Sequence, residues 1–143
     1  MNIYLACSIT GGRQDELIYQ KLVATLQAYG HHVPTALLAS PDVIPLEGVV
    51  SPEAVYARDV RWIAECDFLL AEVSTPSHGV GYEIGYALAL GKQVLCLYRK
   101  GRKVSKMILG NPHPKLFVHT YETPEQAVDL LSSYLQNIFP IEA

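Results

Sequence analysis

Short apolar runs of strand length alternate along this chain with longer stretches of helical periodicity. Residues 2–7, Asn2-Ile3-Tyr4-Leu5-Ala6-Cys7, predict a first strand. Asp67-Phe68-Leu69-Leu70-Ala71-Glu72-Val73 predicts a strand buried on both faces, as in a parallel sheet covered on two sides. Between them Leu17, Tyr19, Leu22, Val23 and Leu26 recur at helical spacing and predict a helix over about 13–29, with Gly30 as its stop. A short strand is expected at His32-Val33, followed by a long Pro-containing stretch, 34–52, of weak periodicity; a connection of that length favours a functional loop or a cap over a cleft. Ser51-Pro52-Glu53 joins an N-capping hydroxyl, a proline at the first helical position and an acid in the first turn, so a helix should run from there to about Cys66. Residues 80–90 predict the next helix, ended by Gly91-Lys92, and 93–98 the next strand. A short helical segment at 105–109, a last strand at 116–119 and a last helix at 124–138 complete the series, the last opened by Thr123 with Gln126 three residues on as a capping box. The order predicts an α/β fold: one domain over residues 1–143, a doubly wound, flavodoxin-like or Rossmann-like sheet of five parallel strands with helices on both faces.

A chain of 143 residues that is 50% hydrophobic and 17% charged carries enough apolar material for one substantial core and too little for two. Its net charge of -3 leaves no electrostatic footprint for a nucleic-acid backbone, which argues against a polymer partner, although a small anionic ligand needs only local donors. No apolar run approaches the length of a membrane helix, and the first strand starts at once with no basic and apolar leader, so no membrane partner is expected. Cys7, Cys66 and Cys96 are odd in number, form no C-x-x-C pair and sit in apolar runs, which points to the reducing cytoplasm.

Two carboxylates stand where the helical pattern should face the sheet. Asp59 shares a stripe with Val55, Trp62 and Ile63, and Glu83 falls between Val80 and Ala87. Ionised carboxylates are seldom buried without a partner or a task, and for Asp59 pairing with Arg58 or Arg61 is the plain alternative. Glu83 also lies in the first turns of its helix, where the dipole favours the ionised form that suits a nucleophile or base; an acid that merely complements the dipole is the competing reading. Two inward carboxylates flanking one strand can divide the nucleophilic and the acid or sugar-orienting work that cleavage of a glycosidic bond requires.

Ser8-Ile9-Thr10-Gly11-Gly12, between the first strand and first helix, offers hydroxyls and backbone N–H groups to an anion, though an ordinary capping turn would look the same; Ser77 and Gly79 could complete such a site from the neighbouring strand end. Gly79, Gly81 and Gly85 read G-x-G-x-x-x-G, one residue too long for a dinucleotide fingerprint and in the wrong place for one. The five histidines show no metal-ligand spacing, and the Arg99–Lys103 cluster reads as a solvated loop that could also screen an anionic ligand or face a neighbouring subunit.

Four blocks carry a resemblance: Tyr4-Leu5-Ala6-Cys7-Ser8-Ile9 with Gly11-Gly12-Arg13, then Asp59-Val60-Arg61-Trp62, then Ala71-Glu72-Val73-Ser74-Thr75-Pro76-Ser77-His78-Gly79-Val80-Gly81-Tyr82-Glu83, then Gly91-Lys92-Gln93-Val94-Leu95-Cys96-Leu97. In order and spacing they resemble the 2'-deoxynucleoside 5'-monophosphate N-glycosidases, a branch of the nucleoside 2-deoxyribosyltransferase superfamily. The resemblance implies a homodimer with shared active sites, hydrolysing a deoxynucleoside 5'-monophosphate to free base and 2-deoxyribose 5-phosphate without metal or organic cofactor. It implies that Glu83 attacks the anomeric carbon, that Asp59 contacts the sugar and assists, and that Tyr4 positions the nucleophile. It assigns the 5'-phosphate to Ser8, Thr10, Gly11, Ser77 and Gly79, with Ser105 supplied by the other subunit.

The chain departs from the family at three places: Thr10 stands where members carry Arg, Cys7 where a Gly commonly precedes the loop serine, and Leu37 or Leu38 near a base-contacting His of some members. Arg13 or the Arg99–Lys103 loop is the candidate source of the missing charge. The sequence leaves open a deoxyribosyltransferase or a ribonucleotide hydrolase of the same superfamily, and a nucleotide-binding module without catalysis.

Overall fold

The computed structural model describes residues 1–9, 15–42 and 48–138. Strand β1 (Ile3–Ala6) leads to helix α1 (Glu16–Ala28), and a 3-10 turn (Ala36–Ala39) precedes helix α2 (Pro52–Glu65). There follow β2 (Phe68–Glu72), α3 (His78–Ala89), β3 (Gln93–Arg99), a single turn of helix α4 (Lys106–Leu109), β4 (Leu116–Tyr121) and α5 (Pro124–Ile138). The strands lie in the order β1-β2-β3-β4, all parallel, with Tyr4 opposite Leu69, Leu69 opposite Val94 and Val94 opposite Leu116.

Alternation along the strands divides the apolar side chains between two cores. Ile3, Leu5, Phe68, Leu70, Leu95 and Leu97 face α1 and α5, whereas Tyr4, Ala6, Leu69, Ala71, Val94 and Cys96 face α2 and α3. All five residues of β2 are buried, as its unbroken apolar run requires. The stripe of α1 is Ile18, Tyr19, Leu22, Val23 and Leu26; Leu17, expected in it, is 81% exposed, because Ile18 one residue on takes the inward position. The capping signals act as read. Ser51 Oγ accepts from Ala54 N at 3.2 Å, Thr123 Oγ1 accepts from Gln126 N at 3.2 Å, and Gly30 leaves α1 with φ +82°.

The sheet has four strands among the described residues, which corrects the five expected. At the fifth place, beside β1, there is one parallel bridge, Asn2 to His32, with Ile3 N donating to His32 O at 2.9 Å and His32 N to Met1 O at 2.8 Å. Gly30 bends the chain immediately before this point, and Pro34, with no N–H to continue a ladder, follows Val33. The pairing nonetheless sets the topology. The first connection leaves β1 toward His32 and the second returns across β1 to β2, so the two diverge and open a crevice at the carboxyl ends of β1 and β2. Among the described residues no helix is long and apolar enough to cross a membrane.

Candidate active site

Three elements converge beside that crevice. β1 presents Tyr4, which is fully buried, toward the face covered by α2 and α3; α2 brings Asp59 with Arg58, and α3 brings Glu83. Burial, then the negative charges of Glu83 and Asp59, push the Tyr4 phenol far above its ordinary range, so it stays protonated and available as a donor. Its hydroxyl lies within reach of the Glu83 carboxylate and opposes the rise of that group's pKa, while among the described residues it closes no hydrogen bond. Glu83 Oε1 lies 3.6 Å and Ser77 Oγ 3.9 Å from the point where a Cβ on Gly79 would stand, so Gly79 leaves the space between nucleophile candidate and capping serine uncovered. The three candidates named from the sequence as catalytic are thus brought together.

The electrostatics of Glu83 differ from the expectation. Burial, reinforced by Asp59, pushes its carboxyl up to about 7, against the opposing influence of the Tyr4 hydroxyl and the charge of Arg58. Glu83 is the sixth residue of α3, beyond the first turn to which the dipole's influence is confined, so desolvation prevails. Asp59 keeps a side-chain exposure of 17% and accepts from Arg58 Nε at 2.8 Å, while the Arg58 guanidinium stacks over Trp62 at 4.9 Å. The ion pair anticipated as the plain reading of Asp59 therefore exists, and it lies within electrostatic reach of Tyr4 and Glu83.

The phosphate candidates divide. Ser8 is buried at the carboxyl end of β1. Ser77 caps α3, its Oγ accepting from Val80 N at 3.3 Å, and Ser105 caps α4, its Oγ accepting from Met107 N at 3.2 Å. In both the hydroxyl proton is left to donate, which is what a phosphate oxygen needs. Ser77 and Ser105 line one cleft of about 460 Å³ together with Thr75, His78, Lys103 and Val104. Thr10 and Gly11, with Arg13, lie outside the described residues. Of the basic cluster, Lys100 pairs with Glu122 at 2.8 Å, Arg99 stacks over Tyr121 at 5.5 Å and Arg102 pairs with Asp15 at 2.8 Å, while Lys103 lines the cleft.

Sequence reasoning passed over a buried polar network on the other face of the sheet. Glu72, fully buried at the end of β2, accepts through Oε1 from Ser74 N at 2.8 Å and Ser74 Oγ at 2.5 Å, and burial raises its carboxyl to about 7. Its signal was an acid inside a strand that reads as buried on both sides. Asp15 accepts from Thr75 Oγ1 at 2.7 Å and Arg102 Nη2 at 2.8 Å; nothing local to Asp15 in the sequence shows this. Among the described residues no group of three or more His, Cys, Asp or Glu side chains is placed to hold a metal ion.

Comparison with known proteins shows the family and the fold. The profile of the family described as nucleoside 2-deoxyribosyltransferase matches residues 3–131. The 5-hydroxymethyl-dUMP N-hydrolase of Danio rerio is 39% identical over 144 residues, covering 96% of this chain and 98% of the relative. The protein of the same name in Mus musculus is 36% identical over 143 residues, covering 97% and 82%. The structure of a CMP N-glycosidase of Clostridium botulinum superposes with a TM-score of 0.74 at 23% identity, covering 94% of this chain and all 100% of that one, which is a likeness of fold.

Proposed function

The chain belongs to the nucleoside 2-deoxyribosyltransferase family, and from that premise we propose that it hydrolyses the N-glycosidic bond of 2'-deoxynucleoside 5'-monophosphates, releasing free base and 2-deoxyribose 5-phosphate. Its relatives named as 5-hydroxymethyl-dUMP N-hydrolases, 39% and 36% identical over nearly the whole chain, support hydrolysis over transfer. The observation that carries the reading is the meeting of Tyr4, Asp59 and Glu83 beside Gly79 and Ser77 at the strand crevice.

In this mechanism the ionised Glu83 attacks the anomeric carbon as the bond to the base breaks, and the base leaves with a proton taken from solvent, which the later addition of water returns. Water then adds at the same carbon, releasing the sugar phosphate and restoring the carboxylate. With substrate bound, Tyr4, whose phenol stays protonated beside the carboxylate, donates to it and holds it in line, and Asp59, itself held by Arg58, engages the sugar. Ser8, Ser77 and Gly79, with Thr10 and Gly11 ahead of α1, receive the 5'-phosphate, and Lys103 is the cation at hand in place of the arginine absent at position 10. We read the working unit as a cytoplasmic homodimer in which Ser105 serves the neighbouring subunit's phosphate. A second reading, in which Ser105 serves its own site, starts from the cleft that Ser77 and Ser105 share in one chain, a cleft whose lining does not include Ser8, Gly79 or Glu83.

The test is base release from the four common deoxynucleoside monophosphates and 5-hydroxymethyl-dUMP, with ribonucleotide and nucleoside controls, each with and without an acceptor base. Free base and sugar phosphate appear without acceptor if the reading holds; product formed only with acceptor, or only from ribonucleotides, sinks it. Glu83→Gln lowers turnover by about a hundredfold or more while nucleotide binding stays within about tenfold. A variant keeping more than about a tenth of the wild-type rate removes this glutamate from the mechanism.

A further inference from the structure

Strand β2 ends on an acid, Glu72, and the bonds that acid makes decide where the chain goes next. Val73 N donates to Leu97 O at 2.9 Å, the last backbone rung toward β3. In a continuing parallel ladder Arg99 N would then donate to the Val73 carbonyl, and the chain would run on beside β3. Instead Arg99 N donates to Ser74 Oγ at 2.8 Å, while Ser74 N turns back to Glu72 Oε1 at 2.8 Å and Ser74 Oγ donates to the same oxygen at 2.5 Å. Two side chains thus replace the ladder where the chain leaves the sheet for Ser77, the N-cap of α3. We propose that Glu72 is a positioning residue for the 5'-phosphate, turning the chain out of the sheet so that Ser77 and Gly79 meet the ligand, an inference that rests on the reading of those two residues as phosphate contacts.

One oxygen receives both the N–H and the hydroxyl of Ser74, which fixes backbone and side chain of that residue at once. The next residue is tied as well, Thr75 Oγ1 donating to Asp15 Oδ2 at 2.7 Å, and Pro76, with its fixed φ, leaves the last step to Ser77 little freedom. Ser77 Oγ and Glu83 Oε1 lie 3.9 and 3.6 Å from the point where a Cβ on Gly79 would stand, so the placing of Ser77 sets the phosphate end of the ligand against the nucleophile. Folding alone does not ask for an acid here. Glu72 is fully buried, its Oε2 has no hydrogen-bond partner among the described residues, and the phenols of Tyr19 and Tyr121 are pushed upward first by burial and then by this carboxylate. An apolar side chain in the otherwise apolar β2 would avoid that desolvation, and a polar group set against the pattern of a core is characteristic of a site being held. The body of α3 is anchored separately by Val80, Ile84, Ala87 and Leu88, so Glu72 governs phosphate binding more than bond cleavage at Glu83.

The experiment compares Glu72→Leu, Glu72→Gln, Ser74→Ala and the Glu72→Leu/Ser74→Ala double variant with wild type, each first shown to be folded by circular dichroism and thermal melting. With a deoxynucleoside 5'-monophosphate as substrate, KM should rise by about tenfold or more in Glu72→Leu while kcat stays within about fivefold. Glu72→Gln, whose amide oxygen still accepts both bonds from Ser74, should stay within about threefold of the wild-type KM. Ser74→Ala should share the defect in KM, and the double variant should be no worse than the more impaired single one, since both changes undo the same turn. Competition by 2-deoxyribose 5-phosphate should weaken in parallel with KM. Amide hydrogen exchange should quicken over residues 73–79 in Glu72→Leu, and neither there in Glu72→Gln nor elsewhere in the chain.

Unchanged KM in folded variants, losses in kcat alone, a Glu72→Gln variant as impaired as Glu72→Leu, or additive losses in the double variant overturn the proposal. If Glu72→Leu fails to fold, Ser74→Ala, which leaves the buried carboxyl in place, decides alone. If wild type releases no base from any nucleotide, the functional reading fails separately, and hydrogen exchange still tests the turn. Quickening confined to 73–79 supports it; no change, or quickening spread through the chain, overturns it.

Discussion

Glu83 carries a stability cost that its chemistry explains. Its carboxyl titrates near 7 in the folded protein instead of the ordinary 4.5, so between those values the folded chain binds a proton that the unfolded chain has lost. Stability from this group therefore falls as pH rises from about 4.5 to about 7 and is level above. Glu83→Gln has no such term, so its melting temperature relative to wild type should climb across this window and then hold constant; a difference independent of pH contradicts the burial of this group as the cause. The same titration should appear in the rate. In the free enzyme kcat/KM rises through about pH 7 as Glu83 ionises, and Arg58→Gln, which removes the cation favouring the carboxylate, moves the inflection upward. An inflection unmoved or moved downward would show that Arg58 does not act on Glu83.

At the scale of elements, the missing fifth strand leaves a debt that one side chain settles. A strand continuing past His32 would offer β1 a further carbonyl, but the chain turns at Pro34. Thr35, fully buried, accepts from Leu5 N through Oγ1 at 2.9 Å and so takes the place of that carbonyl. Thr35→Val keeps shape and volume but orphans a buried N–H, and should cost about 1 to 3 kcal/mol in chemical denaturation. Thr35→Ser, which keeps the acceptor, should cost distinctly less; equal losses would assign the effect to packing. Because Leu5 adjoins Tyr4, this bond also fixes the strand from which the phenol reaches Glu83.

At the scale of the whole molecule the two readings of Ser105 differ in a measurable way. If each site takes Ser105 from the neighbouring subunit, mixing Glu83→Gln chains with Ser105→Ala chains creates heterodimers holding one intact site, and activity rises above that of either parent. If Ser105 serves its own chain's cleft, verified exchange of subunits produces no such site and no recovery. A protein monomeric at working concentration decides for the second reading at once. The experiment is informative provided Ser105→Ala alone is impaired, as loss of a hydrogen bond to a charged group, about 1.5 to 3 kcal/mol, predicts.

Sequence alone determined what depends on neighbours along the chain. Strand and helix placement, the caps at Ser51 and Thr123, the exit at Gly30 and the parallel α/β class followed from periodicity and turn chemistry, because those are local forces. Asp59 and Glu83 were legible as acids on apolar stripes, and the wording of the P-S-x-G-V-G-Y-E block tied them to a family. Tertiary structure decided the rest. Whether the His32-Val33 segment becomes a strand or a single bridge depends on competition between a ladder and a proline turn, which periodicity does not weigh. The direction of the Glu83 shift depends on desolvation by burial, which outweighs the Tyr4 hydroxyl, the Arg58 charge and the helix dipole that sequence makes visible. The Asp15 bonds to Thr75 and Arg102 span 60 and 87 residues, and a contact of that range leaves no periodic trace, since it exists only when the fold closes the distance.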